Sequence, residues 1–189
     1  MTAAAKRRAT YEDLLRVPEH LIAELIDGEL YVMPRPALPH VRAGSVLGSD
    51  IGTPFDWGPG GPGGWIILQE PELQLGEDVL IPDIAGWCRE RMPKIPKVLR
   101  MDLAPDWICE ILSPSTRNID RTIKAAIYAR EGVRHLWLID PIARALEVYR
   151  LEGGIWNPVA DFCNDAVVRA EPFHAIELDL ARLWIETDD

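Results

Sequence analysis

The chain has no uninterrupted apolar run long enough to span a bilayer, which excludes a membrane-spanning helix. Its basic N-terminus, MTAAAKRRAT, is not followed by the apolar stretch of a secretory signal. A soluble cytoplasmic protein with no membrane partner is therefore expected. Cysteine is scarce: Cys88, Cys109 and Cys163 are an odd number without metal-like spacing, which suits a reducing cytosol. Cys88 and Cys109 lie in apolar, strand-like surroundings, where cysteine serves as a small buried hydrophobe. The four histidines, His20, His40, His135 and His174, form no HxH or HExxH pair, so a zinc site is not expected. Basic residues are also in short supply, 20 against 30 acidic ones, and the net charge of −10 disfavours loose, purely electrostatic binding to nucleic acid.

What charge there is falls unevenly. Residues 89–134 carry ten Lys/Arg against six Asp/Glu, net +4, which leaves −14 on the remainder. A solvated charged surface and a phosphate-binding face both account for that stretch. The length, 189 residues, fits one domain able to bury a real core. The expected organisation is a disordered N-terminus over residues 1–9 and a single domain over residues 10–189.

Local patterns set the order of elements. Thr10 is a plausible cap for a short helix, and two strand-like runs, residues 20–26 and 29–33, joined by Asp27-Gly28 read as a tight hairpin. A helix is expected over residues 40–50, weakened by its glycines, and GPGGPGG over residues 58–64 reads as a flexible loop. Strands are expected over residues 65–69 and 72–75, then over 79–87 with an interruption at Pro82. Trp107-Ile-Cys-Glu-Ile-Leu112 is nearly all apolar and reads as a central strand buried on both faces. A Ser-Pro-Ser-Thr turn leads into the best helix of the chain, residues 118–131, with Ile123, Ala126 and Ile127 on its apolar side and Gly132 as its stop. Residues 135–139 form a further buried strand, residues 145–149 alternate like an exposed-edge strand, and short strands and a helical turn complete the chain. The fold class is mixed α/β or α+β, a central mixed β-sheet flanked by helices with an N-terminal helix and hairpin.

Two carboxylates stand where burial should be costly. Asp83 is flanked by Ile81-Pro82 and Ile84-Ala85, and Glu110 lies inside the most apolar strand. Each needs a cation, an ionic partner or a strand-end position. A divalent metal held by both would meet that need, whereas a salt bridge or solvent exposure is the plain alternative. Lys124 follows on the next helix, with Asp120, Lys124 and Tyr128 spaced i, i+4, i+8 on one face. A surface Asp120–Lys124 ion pair is the bland reading. Against it, a cation near a helix N-terminus is disfavoured, and a long stem can turn the ammonium back toward the preceding strand. Two carboxylates, a metal and a lysine together suit phosphodiester hydrolysis.

These residues resemble the Uma-two family, a bacterial group with a restriction-endonuclease-like fold. The resemblance covers about residues 10–150 and rests on Glu24-Leu-Ile-Asp-Gly-Glu-Leu30, Pro39-His40, Ile81-Pro-Asp-Ile84, Pro105-Asp106, Glu110-Ile-Leu-Ser-Pro-Ser-Thr116, Asp120 to Lys124 with Tyr128, and Leu136-Trp-Leu-Ile-Asp-Pro141. It implies a PD-(D/E)xK-type site, with Asp83 and Glu110 as ligands of Mg²⁺ or Mn²⁺ and Lys124 as the catalytic lysine. Glu24 and His40 would be auxiliary, His40 by packing or hydrogen bonding. The general nuclease pattern places lysine two residues after the glutamate, where this chain has Leu112, so Lys124 serves only if the lysine has migrated to the helix. The three-residue constellation within the basic stretch points to a metal-dependent endonuclease acting on DNA, and the seven tryptophans with an apolar strand that could edge an interface suggest a homodimer. A non-catalytic nucleic-acid- or protein-binding module on the same fold is the alternative, and a metal-stabilised structural protein a third.

Overall fold

The computed structural model describes residues 7–184. The expectation for residues 1–9 therefore falls mainly outside the described residues. Of the remainder, Arg7 pairs with Asp13, and the Ala9 N–H donates to Gly28 O at 2.7 Å.

The capped helix α1 (Tyr11–Leu14) leads into β1 (Leu21–Ile26) and β2 (Glu29–Pro34), which pair antiparallel in the expected hairpin. Asp27 and Gly28 both have positive φ, 51° and 75°, the backbone that a two-residue turn between twisted strands requires. Helix α2 (Leu38–Ile51) follows and continues into a π-helical stretch, Gly52–Trp57. Its glycines serve close approach: a Cβ on Gly44 would stand 3.2 Å from Ile111 Cδ1, and one on Gly48 would meet Gln69.

After the loop come β3 (Trp65–Gln69), β4 (Leu73–Leu75), β5 (Asp78–Leu80) and β6 (Ile84–Cys88). The single interrupted strand expected over residues 79–87 is thus two strands in two different sheets. Pro82 cannot donate to a ladder, and the Ile81-Pro82-Asp83 link carries the chain from one sheet to the other. Strand β7 (Trp107–Ile111) runs parallel to β8 (His135–Asp140), joined by α3 (Arg117–Ile119), a π-helical turn (Asp120–Lys124) and α4 (Ala125–Arg130). The helix expected over residues 118–131 is therefore broken by a π-bulge, a feature common at functional sites. Of the expected apolar side, Ile127 is buried and Ile123 packs against the core, whereas Ala126 is exposed; Asp120, Lys124 and Tyr128 are buried as well. Strands β9 (Ala145–Glu152) and β10 (Ile155–Cys163) come next, and β9 is interior, between β8 and β10, rather than an edge. A short pair, β11 (Val167–Val168) and β12 (Leu178–Asp179), and a 3₁₀ turn (Leu180–Leu183) end the described chain.

The main sheet has the order β10-β9-β8-β7-β6-β3, and a four-stranded sheet has the order β2-β1-β5-β4. Strand alternation sends Trp107, Cys109 and Ile111 of β7 to one face, where they pack with α2 and the C-terminal segment, and Ile108 and Leu112 to the other, where α4 and the second sheet cover them. Burial on both faces explains why β7 and β8 read as continuous apolar runs. Trp107, Trp137 and Phe173 meet edge to face with ring centroids 4.8–5.7 Å apart, and of the seven tryptophans only Trp57 is exposed. The architecture is restriction-endonuclease-like, with a central mixed sheet and flanking helices. Among the described residues no helix is long and apolar enough to cross a membrane.

Asp106, 1% exposed, fastens the end of β6 to the starts of β7 and β8 in the main sheet. Its Oδ2 accepts from the Cys88 N–H at 2.9 Å, its Oδ1 meets Arg91 at 2.9 Å, and its carbonyl accepts from the Arg134 and His135 N–H groups. Asp106→Ala leaves the Cys88 N–H without a partner, and a loss of about 1–3 kcal/mol in urea denaturation is the expected result.

Candidate active site

Strand β6 stops pairing with β7 at Ile84, opposite Cys109. One step further, in the link from β5, Asp83 comes opposite Glu110, which places both carboxylates on the same side of the sheet. Asp83 Oδ2 is fixed by the Ile111 N–H at 2.6 Å, and Asp83 Oδ1 lies 3.2 Å from His40 Nε2 on α2. Burial acts to lower the His40 pKa, but the hydrogen bond and charge of Asp83 outweigh it and raise the imidazole above its ordinary value.

Lys124 reaches the same place from the π-helical turn. Its ammonium lies 2.9 Å from Glu110 Oε1, 3.0 Å from Glu24 Oε1 and 3.4 Å from Asp120 Oδ1. The residues of this cluster are almost wholly buried: Glu24 1% exposed, Glu110 2%, Lys124 4%. The Asp120–Lys124 pair exists, but in the interior, where it is one edge of a larger network. Leu112, at the position where the general nuclease pattern has its lysine, is buried in the core on the same face. The lysine side chain is supplied from the helix instead.

Two further residues complete the cluster. The Tyr128 hydroxyl donates to Glu110 Oε1, and Glu24 Oε1 accepts from the Ile81 N–H at 2.7 Å, which ties the β1 carboxylate to the sheet-crossing link. Sequence reasoning placed Asp120 and Tyr128 on the Lys124 face without assigning them to the site, although their i, i+4, i+8 spacing was the signal.

Burial alone would drive the Lys124 ammonium toward its neutral form, but Glu110 and Glu24 outweigh it and hold its pKa well above the usual lysine range. Burial pushes Glu110 well above the ordinary carboxylate range despite Lys124, and Asp120, Asp83 and Glu24 add to the rise. The two directions are compatible. One ammonium faces three carboxylates, so the same crowding that holds Lys124 charged also raises Glu110. Burial raises Asp120 too, partly offset by Lys124. Tyr128 is held protonated by burial and by the adjacent Glu110 charge.

One half-enclosed cavity of about 250 Å³ is lined by Glu24, His40, Asp83, Glu110, Asp120 and Lys124 together with Arg35 and apolar and hydroxyl side chains; Tyr128 lies behind Glu110 and does not line it. Among the described residues no group of three or more His, Cys, Asp or Glu side chains is arranged to hold a metal ion. Asp83 and Glu110 both line the cavity and supply oxygen donors. Magnesium is commonly held by one or two carboxylates with waters and substrate phosphate rather than by an all-protein cage, so this pair fits it.

The raised Glu110 pKa has a consequence for stability. A proton bound more tightly in the folded state contributes stability that is fully present below the unfolded value, about 4.5, and is lost as pH rises through the raised folded value. Metal-free wild type should therefore lose more melting temperature between acidic and alkaline pH than Glu110→Gln, which has no proton to lose there. Parallel Tm-versus-pH curves would contradict this.

The sequence profile of the Uma-two family, described as "putative restriction endonuclease", matches residues 8–181. A crystal structure of a "putative nuclease" from Anabaena variabilis aligns with a TM-score of 0.72 at 25% sequence identity, over 92% of this chain and 96% of that one. No curated protein matches the chain. Family match and fold agree over nearly the whole length: the chain belongs to the Uma-two family.

Proposed function

We propose that this protein is a magnesium- or manganese-dependent endonuclease that hydrolyses DNA phosphodiester bonds, with Asp83, Glu110 and Lys124 as its reacting set. One observation carries the reading: a carboxylate from β7, one from the link before β6 and a buried lysine ammonium converge on a single cavity, in a chain whose family is described as a "putative restriction endonuclease". Four carboxylates line the cavity against Lys124 and Arg35, an acidic excess that disfavours a phosphodiester unless a further cation offsets it.

Asp83 and Glu110 would hold that cation, which supplies Lewis acidity and a more acidic bound water. His40 keeps Asp83 oriented, and Tyr128 fixes one oxygen of Glu110. Lys124, kept charged by Glu24, stabilises the negative charge that builds on the phosphate oxygens. In the reaction a water oxygen forms the new bond to phosphorus, the bond to one deoxyribose oxygen breaks, and that oxygen leaves with a proton. A homodimer, if formed, would bring two sites to bear on two strands, and sedimentation equilibrium tests for it.

The direct test is cleavage of plasmid DNA with magnesium or manganese. Wild type should cut, Asp83→Ala should be inactive, and Lys124→Ala should be slower on the order of a hundredfold or more. Cleavage unchanged in Asp83→Ala sinks the proposal, and DNA binding without turnover would favour the non-catalytic module.

A further inference from the structure

The cavity has a second side that hydrolysis itself does not use. The hairpin register sets Ile22 opposite Met33 and Glu24 opposite Tyr31, so Ile22 and Met33 share the face that carries Glu24. Pro34, Pro36, Ala37 and Ile81 extend this apolar wall, and all six residues line the cavity. Arg35, between the two prolines, and Ser113, Ser115 and Thr116, in the turn after β7, line it as well. One half-enclosed space thus combines an acid–ammonium cluster, an apolar wall beside it, and hydrogen-bond donors.

The depth of the cluster restricts what can reach it. Glu110 and Lys124 are 2% and 4% exposed, so a phosphate must descend into the cavity to meet them. In a stacked duplex the nucleosides flanking each phosphate are locked in line, and the backbone descends only if one of them leaves the stack. A single strand already has bases free to turn out of line. Its phosphate can enter with a nucleoside beside it, and an apolar wall offers that nucleoside a dry surface in place of lost stacking. Arg35 and the hydroxyls of the turn suit a neighbouring phosphate, because such contacts position a strand without reading its sequence.

We propose that the cavity takes one unstacked nucleotide, its base against the Ile22–Met33 wall, so that the substrates are single-stranded DNA, frayed ends and flaps rather than intact duplex. The inference rests on the hydrolytic reading above and narrows its substrate class.

The test compares a single-stranded DNA circle with a covalently closed duplex circle of the same sequence, in magnesium, for wild type and Asp83→Ala. Asp83-dependent cleavage of the single-stranded circle faster by roughly tenfold or more supports the proposal. Equal, Asp83-dependent cleavage of both circles overturns it and leaves the hydrolytic reading standing. If neither circle is cut in an Asp83-dependent way, the hydrolytic reading fails, and binding decides about the cavity. Fluorescence anisotropy in calcium then compares a labelled single strand with a closed hairpin duplex, and a strand bound no more tightly than the hairpin overturns the proposal. Met33→Gln, at a half-buried position of the wall, should raise KM for the single strand about fivefold with little change in kcat. An unchanged KM in a variant that melts like wild type counts against the base-binding wall.

Discussion

The ammonium of Lys124 is the charge on which the candidate site depends. It lies within 3.4 Å of carboxylates from β1, from β7 and from its own π-helical turn, so it joins the four-stranded sheet, the six-stranded sheet and the crossover helix at one point. Buried carboxylates without a cation are strongly disfavoured, and removing one member of such a network leaves the others uncompensated, at a typical cost of about 3–5 kcal/mol. The π-bulge serves this arrangement, since it lies where Asp120 and Lys124 turn inward. A surface ion pair at the same spacing would be worth only a few tenths of a kcal/mol.

Around that ammonium the carboxylates take different parts. Glu110 is deep, bonded to Tyr128, and pushed toward its protonated form by burial. Asp83 sits where the chain crosses between sheets, more open, beside a histidine whose own pKa the aspartate raises. An excess of carboxylates over cationic side chains lines the cavity, which makes it receptive to a further cation.

Much of this was legible from residue order. Asp27-Gly28 announced its hairpin because both residues tolerate positive φ, and β7 and β8 announced themselves because burial on two faces demands unbroken apolar runs. Asp83, Glu110 and Lys124 stood out as charges in apolar surroundings, and all three line one cavity. The illegible parts were those set by tertiary contacts. Pro82 reads locally as an interruption, but only the pairing of β5 with β1 and of β6 with β7 makes it a crossing between sheets. Strand β9 alternates as an edge strand would, yet β10 covers its far side. Ile127 and Ile123 mark part of the helix's inner face, but Asp120, Lys124 and Tyr128 are buried with them, and hydrophobic periodicity carries no signal for a buried charge cluster.

In the proposed mechanism Asp83 and Glu110 seat a cation while Lys124 keeps its own carboxylate contacts. Anomalous diffraction from crystals soaked in manganese tests that division directly. The expected result is a peak bounded by Asp83 and Glu110, with the Lys124 ammonium still in contact with Glu24. A peak at the ammonium's own place, or none beside Asp83, would contradict it.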